Sequence, residues 1–169
     1  DVLLASSGAN AFYGLFKAAT EEARRAKKKI WIRLGWLYLD TIKVMQLLAG
    51  KQSDEQVIEL NNLDDFTKLE EIFQSQGDTV AGIVTEFPTN PLLQSFDLER
   101  IKELCDLHNS LLIVDPTMAS PKNAKVSSLA DVVVNSLTKY AIWEGDVMMG
   151  SHVFTRQSAR GRKLMELTN

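Results

Sequence analysis

The sequence predicts an α/β fold, a mostly parallel sheet held between helix layers, and three observations carry that expectation. Short apolar runs alternate with longer amphipathic ones, which is the pattern of strands joined by crossover helices. Runs such as Leu111-Leu112-Ile113-Val114 and Val132-Val133-Val134 are continuously apolar rather than alternating, so both faces of the sheet are expected to be covered. Polar residues stand directly after several of these runs, at Glu86, Asp115 and Ser136 to Lys139, where ligands gather in open parallel sheets.

Taken in order, Asn10 to Ala26 places Phe12, Leu15, Phe16 and Ala19 on one helical face. The basic cluster Arg24 to Lys29 then reads as a solvated helix end that complements the dipole. Ile30 to Leu34 is a strand. Asp40 to Ala49 is a helix with Asp40 as N-cap and Gly50 as its close. Val57 to Leu60 is a short strand, and Asp64 to Phe73 carries Phe66, Leu69, Ile72 and Phe73 at helical spacing with Gly77 as the stop. Val80 to Thr85 is a buried strand that runs into Glu86-Phe87-Pro88-Thr89-Asn90-Pro91, where two prolines enforce an extended, turning loop and Glu86 reads as a structural loop residue. Asp97 to His108 is an amphipathic helix through Leu98, Ile101, Leu104 and Leu107. Leu111 to Val114, Val132 to Val134 and Ser151 to Phe154 complete the strands, and a charged, helix-like tail begins at Gln157.

Composition bounds the function. A chain of 169 residues, 45% hydrophobic and 24% charged, is large enough to bury one core. A formal net charge of -3 and the absence of a concentrated basic surface speak against a nucleic-acid partner. No run approaches the ~20 apolar residues that cross a bilayer, and no signal-peptide pattern opens the chain, so a cytoplasmic protein without a membrane partner is expected. One cysteine, Cys105, excludes an internal disulfide. Cys105 and His108 make too few ligands for a metal, and an ordinary helix face explains them. The chain starts on Asp1 rather than methionine, and residues 1–169 are expected to be a fragment of a longer protein.

The chemistry rests on Asp115 and Lys139, each just past an apolar strand. Alone, the lysine reads as a solvated surface residue and the aspartate as a turn or cap. Together they suit a pyridoxal cofactor, which needs an amine for its aldehyde and a carboxylate opposite its ring nitrogen. Its phosphate needs donors, and the hydroxyls of Ser136 and Thr138 offer them. So do the small residues Ser6-Ser7-Gly8-Ala9 entering the first helix, although taken alone they read as an N-cap.

From Glu86 to Gly150 the chain resembles the transsulfuration (Cys/Met metabolism) family of pyridoxal-phosphate enzymes, the family of cystathionine γ-synthase and γ-lyase. The family string runs E-[TS]-P-[TS]-N-P, V-D-N-T-F-x-[ST]-P, S-x-T-K-Y and D-V-x-x-G. Here Glu86-Phe87-Pro88-Thr89-Asn90-Pro91, Val114-Asp115-Pro116-Thr117-Met118-Ala119-Ser120-Pro121, Ser136-Leu137-Thr138-Lys139-Tyr140 and Asp146-Val147-Met148-Met149-Gly150 match it in order and spacing. Upstream, Ser7-Gly8-Ala9 is similar to the family's phosphate loop and Tyr38-Leu39-Asp40-Thr41 to its Y-G-x-T segment. Departures are Pro116 for asparagine, Trp143 to Asp146 in place of Gly-His-Ser-Asp, Ala9 for methionine and a Tyr38 segment without its glycine.

The resemblance implies the large domain of a fold-type I pyridoxal-phosphate-dependent transferase. Lys139 would hold the pyridoxal 5'-phosphate and shuttle protons. Asp115 would pair with the ring nitrogen, and Thr117 would belong to the same cofactor site. Ser136, Thr138, Gly8 and Ala9 would hold the phosphate, Tyr38 would stack on the ring and aid proton transfer, and Asn90 would contact the ring hydroxyl and the substrate carboxylate. The implied activity is cystathionine γ-synthase, γ-replacement of an O-acylhomoserine by cysteine in methionine biosynthesis, with cystathionine or methionine γ-lyase as the alternative. The implied assembly of the full-length protein is a homotetramer. The family's N-terminal arm and C-terminal domain are not recognisable, so a truncated domain inactive by itself is a further reading. A nucleotide-binding domain would need a Gly-rich loop after the first strand, and none follows Ile30 to Leu34.

Overall fold

A computed structural model describes residues 1–168 apart from 51, 64, 65, 142, 143 and 156. Trp143 and the expected helix start at Asp64 therefore lie outside the described residues. The described strands are β1 (Val2–Ala5), β2 (Ile30–Leu34), β3 (Gln56–Leu60), β4 (Val80–Glu86), β5 (Leu111–Asp115), β6 (Val132–Ser136) and β7 (Gly150–Phe154). They form one sheet in the order β1-β7-β6-β5-β4-β2-β3. Pairing is parallel from β3 through β6, while β7 runs antiparallel to both β6 and β1. Two reversals cancel, so β1 points the same way as β6. The carboxyl ends of β1, β2, β4, β5 and β6 thus share one edge with the start of β7.

The helices are α1 (Gly8–Arg25), α2 (Leu39–Ala49), α3 (Thr67–Gln76), α4 (Leu98–Leu107), the short α5 (Ser120–Asn123) and α6 (Ala159–Thr168). Successive strand side chains point to opposite faces, and the core divides accordingly. Leu111, Ile113, Val132 and Val134 pack with Phe12, Leu15 and Phe16 of α1, Met45 and Leu48 of α2, and Leu164 of α6. Leu112, Val114 and Val133 pack with Leu69 and Phe73 of α3 and with Ile101 and Cys105 of α4. The continuous apolar runs are continuous because each residue meets a helix on one side or the other. Phe16 alone, fully buried and 4.6 Å from the Trp31 ring, represents about 1.5–3 kcal/mol of burial.

The alternation also sorts the polar ends. Val84 packs on the α1 side, so Glu86 two residues later shares that face; by the same count Asp115 follows Ile113 and Ser136 follows Val134. At the far end, Asp131 is wholly buried and clamps α6 to the sheet. It accepts the Leu112 N–H at 2.8 Å and the Arg160 Nη2 at 3.0 Å, besides the Ser158 hydroxyl.

Several boundaries differ from expectation for physical reasons. β1 was not anticipated: it is four residues long, lies on the sheet edge, and is secured by pairing with β7. Ser7 caps α1 by accepting the Asn10 N–H at 3.1 Å, so the helix begins at Gly8 rather than Asn10. Asp40 is not the cap of α2; Tyr38 holds that position, and Asp40 sits in the first turn, where its charge complements the dipole. Glu86 is the buried last residue of β4 rather than part of a loop. Helix α3 runs on to Gln76. Cys105 is buried in the core, where burial pushes its thiol up, and the His108 ring packs on Phe73 at 5.2 Å. No described helix is long and apolar enough to cross a membrane.

Candidate active site

Asp115 ends β5, and Lys139 lies in the 3-10 turn Leu137–Lys139 that continues β6, at the same edge of the sheet. The Asp115 carboxylate accepts the Thr117 N–H at 2.8 Å, a local turn that turns the chain back over the strand end. Burial pushes this carboxyl up to about 6, opposed only by hydrogen bonds from Thr117. Among the described residues no cation contributes to its electrostatics, which leaves a half-buried acceptor with capacity for a positively charged partner. The Thr117 hydroxyl accepts the Ser136 N–H at 2.9 Å, tying the exit of β5 to that of β6. The exposed Lys139 is followed by Tyr140, whose phenol donates to Asn135 Oδ1 at 3.0 Å; burial, then the charge of Asp115, pushes that phenol up.

The start of α1 closes on the same place. Gly8 and Ala9 are its first two residues, whose N–H groups have no partner within a helix. A Cβ on Gly8 would stand 2.8 Å from the Ser136 Cβ, and one on Gly150 would stand 2.2 Å from the Ser7 carbonyl oxygen. Only residues without side chains let α1, β6 and β7 approach this closely. The Thr138 hydroxyl accepts the Met149 N–H at 2.8 Å and reaches the Met149 carbonyl at 3.2 Å, so it anchors the segment leading into β7.

Tyr38 and Asn90 arrive from two other elements. Tyr38 is 53% exposed at the N-cap of α2, and its backbone N–H donates to Glu86 Oε1 at 2.6 Å. Asn90 is half-buried in a turn with cis peptides at Phe87-Pro88 and Asn90-Pro91. That turn is held to β5 by the Phe87 N–H, which donates to the Asp115 carbonyl at 2.9 Å. Glu86 pairs in register with Asp115 on the neighbouring strand. Burial, and secondarily the Asp115 charge, pushes its carboxyl up to about 7 against the N–H groups of Tyr38 and Asn90. The sequence signal for Glu86 was the one that marked Asp115, an acid directly after an apolar run; the prolines behind it hid its place in the strand.

These residues fit pyridoxal phosphate. The first N–H groups of a helix beside a hydroxyl-bearing strand end suit a phosphate, an amine stands one turn past that strand, and a carboxyl that meets no cation among the described residues ends the next one. The sheet order and helix layers are those of fold-type I pyridoxal-phosphate enzymes. Residues 2–168 match the model of the Cys/Met metabolism PLP-dependent enzymes, and the chain belongs to that family.

Its relatives carry diverse activities. The L-2-amino-4-chloropent-4-enoate dechlorinase/desaturase of Streptantibioticus cattleyicolor is 36% identical over 166 residues, covering 98% of this chain and 33% of that protein. Cystathionine γ-synthase of Neurospora crassa is 32% identical over 170 residues, covering 94% of this chain and 25% of that one. Cystathionine γ-synthase from Xanthomonas oryzae pv. oryzae, solved in complex with cystathionine, superposes with a TM-score of 0.75 at 24% identity, covering 99% of this chain and 41% of the other. At that identity the likeness bears on the fold alone. The chain spans a third or less of the length of these curated relatives.

Proposed function

We propose that this chain is the cofactor-binding large-domain part of a pyridoxal-phosphate enzyme that acts at the γ-carbon of an amino acid. The reading is carried by one observation: Asp115 ends β5 and Lys139 lies in the turn directly after the adjacent β6, at one edge of the sheet where the start of α1 abuts Ser136. Bound there, the cofactor supplies an electron sink for the substrate Cα. The chain's residues do the rest. Lys139 Nζ would hold the cofactor through its aldehyde and would carry protons at the substrate carbons, and the Asp115 carboxylate would pair with the protonated ring nitrogen. Gly8 and Ala9 N–H groups, with Ser136 and Thr138, bind the phosphate and fix the ring's position. The Tyr38 side chain would stack on the ring, Asn90 would contact the ring hydroxyl and the substrate carboxylate, and Thr117 aligns Asp115 with β6 through the Ser136 N–H.

The specific activity proposed is cystathionine γ-synthase, with cysteine replacing the acyl group of an O-acylhomoserine in methionine biosynthesis. Curated synthases from Neurospora crassa and Saccharomyces cerevisiae at 32% and 30% identity support it. A second reading, γ-elimination, is favoured by the dechlorinase, whose name puts its chlorine on carbon 4, the γ-position. We place the full-length protein in the cytoplasm as a homotetramer, with small amino acids as its partners and neither nucleic acid nor membrane among them.

The test is a product assay with the full-length protein. O-acylhomoserine with cysteine yields cystathionine under the first reading; release of a keto acid or an unsaturated product from a γ-substituted amino acid favours the second. Neither product, in protein that shows no band at about 420 nm after incubation with pyridoxal 5'-phosphate, overturns both.

A further inference from the structure

Tyr140 closes the run Ser136-Leu137-Thr138-Lys139-Tyr140, and the cofactor site leaves it without a role. It stands directly after the lysine, in a very short turn. That turn, Leu137–Lys139, is closed by the Ala141 N–H on the Leu137 carbonyl at 2.8 Å and by the Tyr140 N–H on the same oxygen at 3.3 Å. A 3-10 turn of this length has little stability of its own in water, because fixing its dihedrals costs more than its first bonds return. Side chains have to hold it. Before the lysine, Thr138 is bound to Met149: its N–H donates to the Met149 carbonyl at 3.1 Å, and its hydroxyl accepts the Met149 N–H at 2.8 Å. After the lysine, the Tyr140 phenol donates to Asn135 Oδ1 at 3.0 Å.

Asn135 explains why the phenol is there. It is 2% exposed and follows Val132-Val133-Val134 on β6. Two residues after Val133, it shares that residue's face, toward α3 and α4, whereas Ser136 faces α1. A buried amide on an apolar strand is unfavourable unless it is hydrogen-bonded, and the phenol supplies the bond. Phenylalanine at position 140 would fill the same space and leave Oδ1 without a donor among the described residues. Burial, then the charge of Asp115, pushes the phenol up, which keeps its proton in place as the donor at neutral pH. The two neighbours of Lys139 are thus tied to different strands, Thr138 to the approach to β7 and Tyr140 back to β6 on the face opposite Ser136. The exposed lysine stands at the crest between the two ties.

We infer that Tyr140 is a positioning residue for Lys139: its phenol, hooked on the buried Asn135 amide, fixes the turn so that the amine is presented at the edge where Asp115 ends β5. The inference rests on the cofactor reading for what the amine meets there, but the hook itself is a property of the chain alone.

The experiment compares Y140F, which removes only the hydroxyl, with the unaltered full-length protein. Without cofactor, the Tyr140-position and Ala141 amides of Y140F are expected to exchange about fivefold faster, the worth of one ordinary hydrogen bond, while the Met149 and Val133 amides keep their protection. N135L, which removes the acceptor, gives the same increase, and the double variant N135L/Y140F gives no more than either alone. Two ligands then separate the lysine from the rest of the site. Pyridoxal 5'-phosphate is expected to bind Y140F about fivefold more weakly, whereas pyridoxine 5'-phosphate, which has no aldehyde for the amine, binds both proteins equally. Unchanged exchange at position 140 and Ala141 overturns the inference. So does an equal weakening of both ligands, which marks general damage to the site, or an unchanged affinity for pyridoxal 5'-phosphate. If the unaltered protein takes up neither ligand, the cofactor reading falls and the role toward Lys139 falls with it, while the exchange result still decides the hook.

Discussion

Raising the pH from 5 to 8 is expected to destabilise the cofactor-free fold, against the usual behaviour of paired carboxylates. Glu86 is raised to about 7 from an ordinary 4.5 and Asp115 to about 6 from 3.8, both by burial first. The folded chain therefore holds protons that the unfolded chain has released between roughly pH 4 and 7, and stability falls as pH climbs through that window. At about 1.4 kcal/mol for each tenfold change, each group costs on the order of 3 kcal/mol once ionised. The two costs are not additive, because part of the Glu86 rise comes from the charge of Asp115, so a combined loss of ~3–5 kcal/mol is expected. Asp54 and Asp106 are lowered, and their contributions vanish only in more acid solution. His152 is also lowered by burial and works in the opposite sense near neutrality. Urea unfolding at a constant m-value, for the unaltered protein and for an E86Q/D115N double variant, isolates the pair: the unaltered protein loses stability from pH 5 to 8 and the double variant loses far less. Equal slopes in the two proteins would refute the reasoning.

Further outcomes follow from the same geometry. Because Asp115 must ionise to face a protonated ring nitrogen, cofactor affinity is expected to fall about tenfold for each pH unit below 6, measured by absorbance titration. G8A sets a methyl 2.8 Å from the Ser136 Cβ, well inside ordinary carbon contact of about 3.5–4 Å; it should cost ~1–3 kcal/mol in thermal unfolding and weaken phosphate binding more than tenfold. D131A removes a fully buried acceptor from Arg160 and the Leu112 N–H, and should cost ~3–5 kcal/mol in urea while detaching α6 from the sheet, read as lost exchange protection there.

Much of this was legible in the sequence because burial on both sheet faces leaves a plain mark. β4, β5 and β6 appear as unbroken apolar runs, and the acids and hydroxyls behind them fall at the binding edge. β1 is an apolar run too, Val2-Leu3-Leu4-Ala5, but it is only four residues long, leaves Val2 and Leu4 exposed, and owes its strand state to pairing with β7, a tertiary contact that local pattern does not register. Asp40 was a natural cap by residue type, yet the N-cap N–H at Tyr38 is met by a carboxylate from β4, a tertiary contact that local pattern cannot register. Gly8 was readable as a helix start, but the reason it must be glycine is the approach of Ser136 from the far half of the chain.

Mapping the lysine that carries the cofactor is the most direct measurement. Full-length protein incubated with pyridoxal 5'-phosphate, reduced with borohydride and digested should carry the pyridoxyl group on the peptide containing Lys139, and D115N should show the same label with a visible band displaced from its unaltered position. Label on a different lysine, or a spectrum indifferent to D115N, contradicts the pairing of this amine and this acid around one ring.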